Sequence, residues 1–517
     1  MSIFKPITQG FLFTDFYQIT MAQVYYRQGI ALQPAHFEYF FRSYPNYGSH
    51  QAGFCILAGL RTFFEWLVQA KPRPEDLAYL KSLTNRQGKP LFDLQFLDWL
   101  KEIDFSCLQI EAIAEGRVVH PHVPLVSVTG PLALAQLIET PLLNIFNYQT
   151  LVATKAARFK RAARSQVVMD FGLRRAQGLG GNAGTRAALI GGIDFSSNTG
   201  TCAALGVPAK GTHAHSLVQA FLALGYGEED AFLAFAETFP DDCILLIDTI
   251  NTLESGLPHA IKIFQRLRQK GHKPVGVRID SGDLAFLAVE CYQELKKAGF
   301  EDCFIVLSNQ LDELLIHQII SQVEDEAKER NLDPNAILSR LVFGAGTRLI
   351  TSAGSCSLDG VYKLTAIKKQ NKWVPAIKIS DSPSKILNPG HKKVYRLKDK
   401  RNKAMVDLLC LPEERPFDHF EFKVVHPLDL NVFRKLKRED VLEAEELHQL
   451  IQKENKIVYE FPDFDQIAHK REKDLAELDS GVKRLINPHV YHVSLSEQLA
   501  TLKEKVLAEI QKSKIRF

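Results

Sequence analysis

The feature that most constrains this chain is a series of short apolar runs at nearly even spacing, each closed by a polar residue or a glycine. "QVVMDF", "CILLID", "PVGVRID", "CFIVLSN" and "RLVFGAG" all fall between Lys155 and Thr347. From Asp248 to Asp280, on to Asn309 and on to Gly344, each step is close to thirty residues. Helical patterns lie between them, such as "TLESGLPHAIKIFQRLRQK" and "DLAFLAVECYQELKKAG". The second places Leu284, Leu287, Ala288, Cys291 and Leu295 on one face. Strand, helix, strand at this period means parallel βα units, and runs apolar on both faces are strands covered on both sides. A doubly wound sheet and a (β/α) barrel both satisfy that pattern. The polar residues favour the barrel: Asp170, Asp248, Asp280, Ser308 with Asn309, and Gly344 end successive strands. In a barrel such ends converge on one mouth, where the chemistry of these folds is kept.

A chain of 517 residues exceeds one compact core, so two or three domains are expected. Residues 1–14 read as an arm, 15–145 as an α/β domain, and 146–360 as the barrel. Residues 361–435 form a basic, β-rich segment: "YKLTAIKKQNKWVPAIKIS" suggests two strands about a turn, and "HKKVYRLKDKRNKAMVDLL" continues in hairpin style. A charge run of this kind is ordinarily a solvated face. Residues 436–517 read as helical, with Ser494 and Glu497 as a capping box before a stripe of Leu495, Leu499, Leu502, Val506 and Ile510.

The net charge of +3 gives no reason to expect nucleic acid or a membrane surface as partner. No apolar run approaches the roughly 18 residues of a membrane span, and the first residues lack the pattern of a signal peptide, so a cytoplasmic location is expected. The eight cysteines form no CxxC pair, which suits reduced thiols and argues against a zinc site built on them.

Several strand ends carry residues suited to chemistry. "GVRIDSGDL" sets Arg278, Asp280, Ser281 and Asp283 together; paired carboxylates suit vicinal hydroxyls or a divalent cation bridged to phosphate, while Asp283 equally suits a helix cap. "VFGAGTRLITS" offers Gly344, Gly346 and Thr347, where small residues let backbone N–H groups approach an anion. "DFGLRRAQGLGG" brings Phe171 for stacking on a flat ring, with Arg174 and Arg175 for a carboxylate. Gly178 and Gly180 mimic a dinucleotide fingerprint, but they stand too far from the strand for its tight turn. "GTHAHS" holds His213 and His215, which could be a metal pair, a base with a neighbour, or a phosphate acceptor. A binuclear metal site needs further histidines at later strand ends, and those ends carry Asp, Ser, Asn and Gly instead.

Together these blocks resemble the nicotinate phosphoribosyltransferase family, of the type II phosphoribosyltransferase fold. The resemblance runs from "TDFYQITMAQVYY" through "FGLRRAQG", "GGIDFSSNTGTCAALGVPAKGTHAHS", "LLIDTINTLESG", "GVRIDSGDL" and "VFGAGTRLITS" to "KISDSPSKILNPGHKKVYR". It implies an α/β fold: an irregular (β/α) barrel, a second α/β domain built from N-terminal and post-barrel segments, and a helical C-terminal region. It implies that nicotinate displaces pyrophosphate from 5-phosphoribosyl 1-pyrophosphate, giving nicotinate mononucleotide for NAD salvage. Magnesium would assist, and ATP hydrolysis would be coupled through a phosphohistidine at His215, with His213 on a variable position. By the same resemblance Tyr17, from the second subunit of a homodimer, and Phe171 would sandwich the pyridine ring. Arg174 or Arg175 would face its carboxylate. Arg278, Asp280 and Asp248 would hold the phosphoribosyl group, and Ser308, Asn309 and Gly344 to Thr347 the 5-phosphate. Asp280 and Asp283 are the expected magnesium ligands. The sister enzyme acting on nicotinamide is the first alternative; it carries a carboxylate where Ser196, Ser197 and Asn198 stand here, next to Asp194. A metal-dependent barrel hydrolase using His213 and His215 and a catalytically silent binding protein are more distant ones.

Overall fold

The structure, a computed structural model, describes residues 10–378 and 386–514. Most of the proposed N-terminal arm and the "ISDSPSK" part of the basic segment therefore lie outside the described residues. Two units are distinguished, Val152–Cys356 and the combination of Met1–Leu151 with Ser357–Phe517.

The first unit holds six strands: β1 (Val167–Asp170), β2 (Phe195–Ser196), β3 (Ile244–Leu246), β4 (Gly276–Ile279), β5 (Phe304–Ser308) and β6 (Leu341–Ala345). Their order in the sheet is β2-β1-β6-β5-β4-β3, and every pairing is parallel. Each strand lies beside its neighbour in sequence, and β6 closes on β1. That cyclic order is the winding of a barrel, since a doubly wound sheet would reverse direction part-way. The ring is broken only between β2 and β3, so the barrel is irregular. Val277, Ile279, Ile305, Leu307 and Phe343 are all fully buried, as strands covered on both faces require.

The gap is filled by the segment Pro208–His213. On one side Ala209 bridges to Ser196, and the Lys210 N–H donates to the Ser196 carbonyl at 2.9 Å. On the other, the Leu246 N–H of β3 donates to His213 Nε2 at 3.0 Å. An imidazole thus accepts where a strand carbonyl would have done. Burial holds His213 below its usual pKa, which keeps the ring neutral and Nε2 able to accept.

Helices of this unit used below are α1 (Gly180–Gly191), α2 (His215–Ala223), α3 (Leu284–Lys297) and α4 (Glu313–Glu329). Asp283 caps α3 by accepting from the Ala285 and Phe286 N–H groups, and Asp312 caps α4 by accepting from those of Leu314 and Leu315.

The second unit contains an antiparallel seven-stranded sheet and a mixed six-stranded one. The hairpin of Gly360–Lys369 with Lys372–Pro375 turns at Gln370 and Asn371, both at positive φ as a tight two-residue hairpin demands. The basic segment is solvated only in part: Lys369, Lys372, Lys400 and Arg401 are exposed, but three of its cations are buried. Lys392 reaches Glu38 at 2.9 Å, Arg396 reaches Asp407 at 2.8 Å, and Lys398 reaches Glu477 at 2.8 Å, with all six side chains buried. Arg396 also donates to Asp474, which in turn accepts from Arg117. Glu38 and Glu477 are distant in sequence, and Asp407 faces Arg396 across the hairpin; periodicity alone does not reveal these pairings.

Beyond residue 436 the chain is not purely helical: strands such as His448–Lys453 precede the helix Phe464–Glu477, and the strand Val493–Ser496 leads into the helix Glu497–Lys514. Ser494 lies in the last of these, so it is Ser496 that caps the final helix, its Oγ accepting from the Leu499 N–H at 3.1 Å. From that helix Lys503 donates to Asn388 Oδ1 and the Pro427 carbonyl, each at 2.8 Å. Among the described residues no helix is long and apolar enough to cross a membrane.

Candidate active site

A cavity of about 450 Å³ opens at the C-terminal ends of the barrel strands. It is lined by Phe171, Arg174 and Arg175 after β1, Arg278 and Asp280 from β4, Ser308, Asn309 and Gln310 after β5, and Gly344 to Arg348 around β6, Ala345 excepted. Of the strand-end polar residues, Asp280, Ser308, Asn309 and Gly344 converge on it, whereas Asp170 and Asp248 do not line it.

Asp170 ends β1 but turns inward. Its carboxylate accepts from the Gly172 N–H at 2.8 Å, Thr185 Oγ1 at 2.9 Å and Ser196 Oγ at 2.8 Å. That fixes the turn which carries Phe171 into the cavity and leaves Arg174 and Arg175 exposed. Phe171 lies against Gly344: a Cβ there would stand 2.5 Å from its ring, so no larger residue fits. The Arg278 guanidinium stands 5.1 Å from the same ring centroid.

Arg278 is fixed on three sides. Its Nε donates to Ser308 Oγ at 3.0 Å, Nη1 to Thr212 Oγ1 at 3.0 Å, and Nη2 to Asp280 Oδ1 at 3.3 Å. Ser308 Oγ donates in turn to Asp280 Oδ1 at 2.5 Å. Asp248 accepts at Oδ2 from the Asp280 N–H and from Ser281 Oγ, while its Oδ1 is buried with no hydrogen-bond donor among the described residues. His215 begins α2 next to this pair: Nε2 lies 3.9 Å from both Asp248 Oδ1 and Asp280 Oδ2, and Nδ1 meets Thr249 Oγ1 at 3.0 Å. The His215 side chain is about one-third exposed, so its imidazole is open to solvent.

The structure separates the two histidines. His213 is spent on the β3 backbone and packs on Phe235 at 4.9 Å, so the pair does not form a metal site. Among the described residues no group of three or more His, Cys, Asp or Glu could hold a metal by itself. Asp283 caps α3 and also accepts from Gln322 Nε2; neither it nor Asp248 is among the residues that line the cavity. The carboxylate that meets Asp280 is Asp248, through the Asp280 N–H. Ser196, Ser197 and Asn198 face the Asp170 and Thr185 network, and Asp194 is drawn off by Lys160 at 2.7 Å. Tyr17 belongs to the other unit, where it is exposed in the first turn of the helix Phe16–Arg27. Sequence reasoning missed Thr212, Thr249, Gln310 and Arg348. Each is the immediate sequence neighbour of a residue already singled out, His213, Asp248, Asn309 and Thr347, which is the signal that could have found them.

Cationic side chains outnumber carboxylates around a ring-lined hollow: four arginines face one aspartate. Fold and site together define the class, a (β/α)-barrel enzyme of anionic substrates. Three sequence-family models match the chain: the nicotinate phosphoribosyltransferase (NAPRTase) N-terminal domain over residues 12–147, the NAPRTase family over 167–410, and the nicotinate phosphoribosyltransferase C-terminal domain over 391–503. The chain belongs to the nicotinate phosphoribosyltransferase family. It is 37% identical to nicotinate phosphoribosyltransferase of Bacillus subtilis over 97% of this chain and 96% of that one. Identity to the Caenorhabditis elegans enzyme of the same name is 33%, over 94% and 92% of the two chains. The crystal structure of human nicotinic acid phosphoribosyltransferase superposes with a TM-score of 0.79 at 30% identity, covering 95% of this chain and 99% of that one.

Proposed function

We propose that this chain forms nicotinate mononucleotide and pyrophosphate from nicotinate and 5-phosphoribosyl 1-pyrophosphate, serving NAD salvage. The observation that carries the reading is the cavity, where Phe171 offers a ring face and Arg174, Arg175, Arg278 and Arg348 supply cations against the single carboxylate of Asp280. A pyridine carboxylate and a phosphorylated sugar are the two things such a hollow accommodates together. The neutral Ser196, Ser197 and Asn198, turned into the Asp170 network, leave no carboxylate there to accept from an amide N–H, which favours nicotinate over nicotinamide.

In this reading the nicotinate nitrogen attacks the sugar C1 as the bond to pyrophosphate breaks. Phe171 holds the ring flat, and Tyr17 from a second copy of the chain covers its other face in a homodimer. Arg174 or Arg175 pairs with the carboxylate. Arg278 and Asp280 hold the ribose, while Ser308, Asn309 and Gly344 to Thr347 receive the 5-phosphate. Asp248 and Asp280 fit a magnesium ion, because hard oxygen donors are required and the buried Asp248 Oδ1 accepts no hydrogen bond among the described residues. The ion would neutralise charge on the departing pyrophosphate.

His215 accepts the γ-phosphoryl group of ATP: its imidazole nitrogen forms the new N–P bond, the bond to ADP breaks, and water later releases phosphate. Thr249 steadies the ring from Nδ1. The eight cysteines, all unpaired, fit a reducing cytoplasmic setting.

The test is radiolabelling with γ-labelled ATP. His215→Ala abolishes an acid-labile phosphoprotein and the ATP stimulation of nicotinate mononucleotide formation, while His213→Gln keeps both. Labelling that survives His215→Ala overturns the assignment.

A further inference from the structure

The turn that leaves β5 is held in a conformation its own residues disfavour. Asn309 has φ 112° and Gln310 φ 47°, two consecutive non-glycine residues in the left-handed region, where a Cβ crowds the backbone. Both line the cavity. Such strain persists only where the surroundings over-determine it. On the upstream side Ser308 is tied to Asp280 and Arg278. On the downstream side Leu311 is buried, and Asp312 accepts from Arg348 Nη1 at 2.7 Å while capping α4.

The next residue is harder to account for by stability. Glu313 is fully buried and meets Lys155 Nζ and Arg158 Nε, each at 2.9 Å, from side chains that are themselves almost wholly buried. Taking three charges out of water brings little net stability, because desolvation offsets the attraction. The helix does not need Glu313 as a cap, since Asp312 already serves. What the cluster does supply is a fixed point. Any shift of the first turn of α4 would separate buried charges, and an uncompensated buried charge is severely disfavoured.

We propose that Glu313, gripped by Lys155 and Arg158, is a positioning residue that locks the strained Asn309–Gln310 turn and so sets the site for the donor's 5-phosphate. This inference rests on the phosphoribosyl-transfer reading above. Glu313 touches no substrate; it acts through the three residues before it. Relaxing the anchor lets Asn309 and Gln310 return to ordinary φ values, and the wall of the phosphate site moves with them.

The experiment is Glu313→Gln in the full-length enzyme. The KM for 5-phosphoribosyl 1-pyrophosphate and the dissociation constant of ribose 5-phosphate, read by calorimetry, each rise about tenfold, as an ångström-scale misplacement produces. The KM for nicotinate does not change. Adding Gln310→Gly to the variant restores donor affinity, because glycine adopts positive φ without strain, whereas adding Gln310→Ala does not. A variant that melts earlier but keeps both donor constants overturns the proposal, as does equal behaviour of the glycine and alanine combinations. Should Glu313→Gln fail to fold, Arg158→Lys, which keeps the charge and loses the guanidinium, carries the same comparison. If the wild-type enzyme forms no nicotinate mononucleotide, the activity reading has failed; ribose 5-phosphate calorimetry still decides this one.

Discussion

Replacing His213 by alanine removes the acceptor that joins the gap-filling segment to β3. The Leu246 N–H, buried at that point, loses its partner, and Phe235 loses a ring 4.9 Å away. The unpaired donor costs about 1–3 kcal/mol and the lost packing about 2 kcal/mol, together about 3–5 kcal/mol. His213→Gln, whose amide oxygen can accept in the same place, recovers about half of that. Urea unfolding followed by circular dichroism measures both, with m-values checked for constancy.

The pH dependence follows from the same geometry. Burial lowers the pKa of the native imidazole, so below about 6.5 the unfolded chain binds a proton that the native state does not. The stability this group contributes is whole above that pH and is lost progressively as pH falls toward the depressed native value. His213→Gln flattens that slope. A loss under about 1 kcal/mol on alanine substitution, with glutamine no better, would refute the idea that an imidazole completes the barrel.

Three further outcomes are expected. Gly344→Ala pushes Phe171 from the cavity floor and raises the KM for nicotinate about tenfold with the fold retained, read by steady-state kinetics alongside a melting curve. Arg396→Met leaves the buried Asp407 carboxylate without its cation in the other unit, while Asp474 keeps Arg117, and destabilises that unit by about 3–5 kcal/mol, measured by denaturant unfolding. Asp283→Ala lowers stability by about 1 kcal/mol through the lost cap of α3 and leaves the magnesium titration of turnover unchanged, whereas Asp280→Asn shifts that titration.

The barrel was legible because buried parallel strands print themselves as apolar runs at one period, and their polar ends mark one face of the sheet. Phe171, Arg278, Asp280, Ser308 and Gly344 were found that way, and all line the same cavity. The two-residue strand Phe195–Ser196 left no periodic trace, so the break in the ring and the role of His213 in spanning it were invisible. Asp283 shows the limit at a single residue. A carboxylate at a helix start and one at a metal site look alike in sequence, and only the Ala285 and Phe286 N–H groups decide between them. The basic segment was only partly legible for a different reason: Glu38 and Glu477, which neutralise Lys392 and Lys398, are brought to it by tertiary folding, while Asp407 meets Arg396 across the local hairpin.

The central claim is that the cavity selects an acid. The most direct measurement is kcat/KM for nicotinate and for nicotinamide with the same enzyme, phosphoribosyl donor and ATP. The four arginines and the neutral loop predict nicotinate ahead by about 100-fold or more, the worth of a lost charge-assisted pair. Nicotinamide turned over as well as nicotinate, or better, would contradict the account.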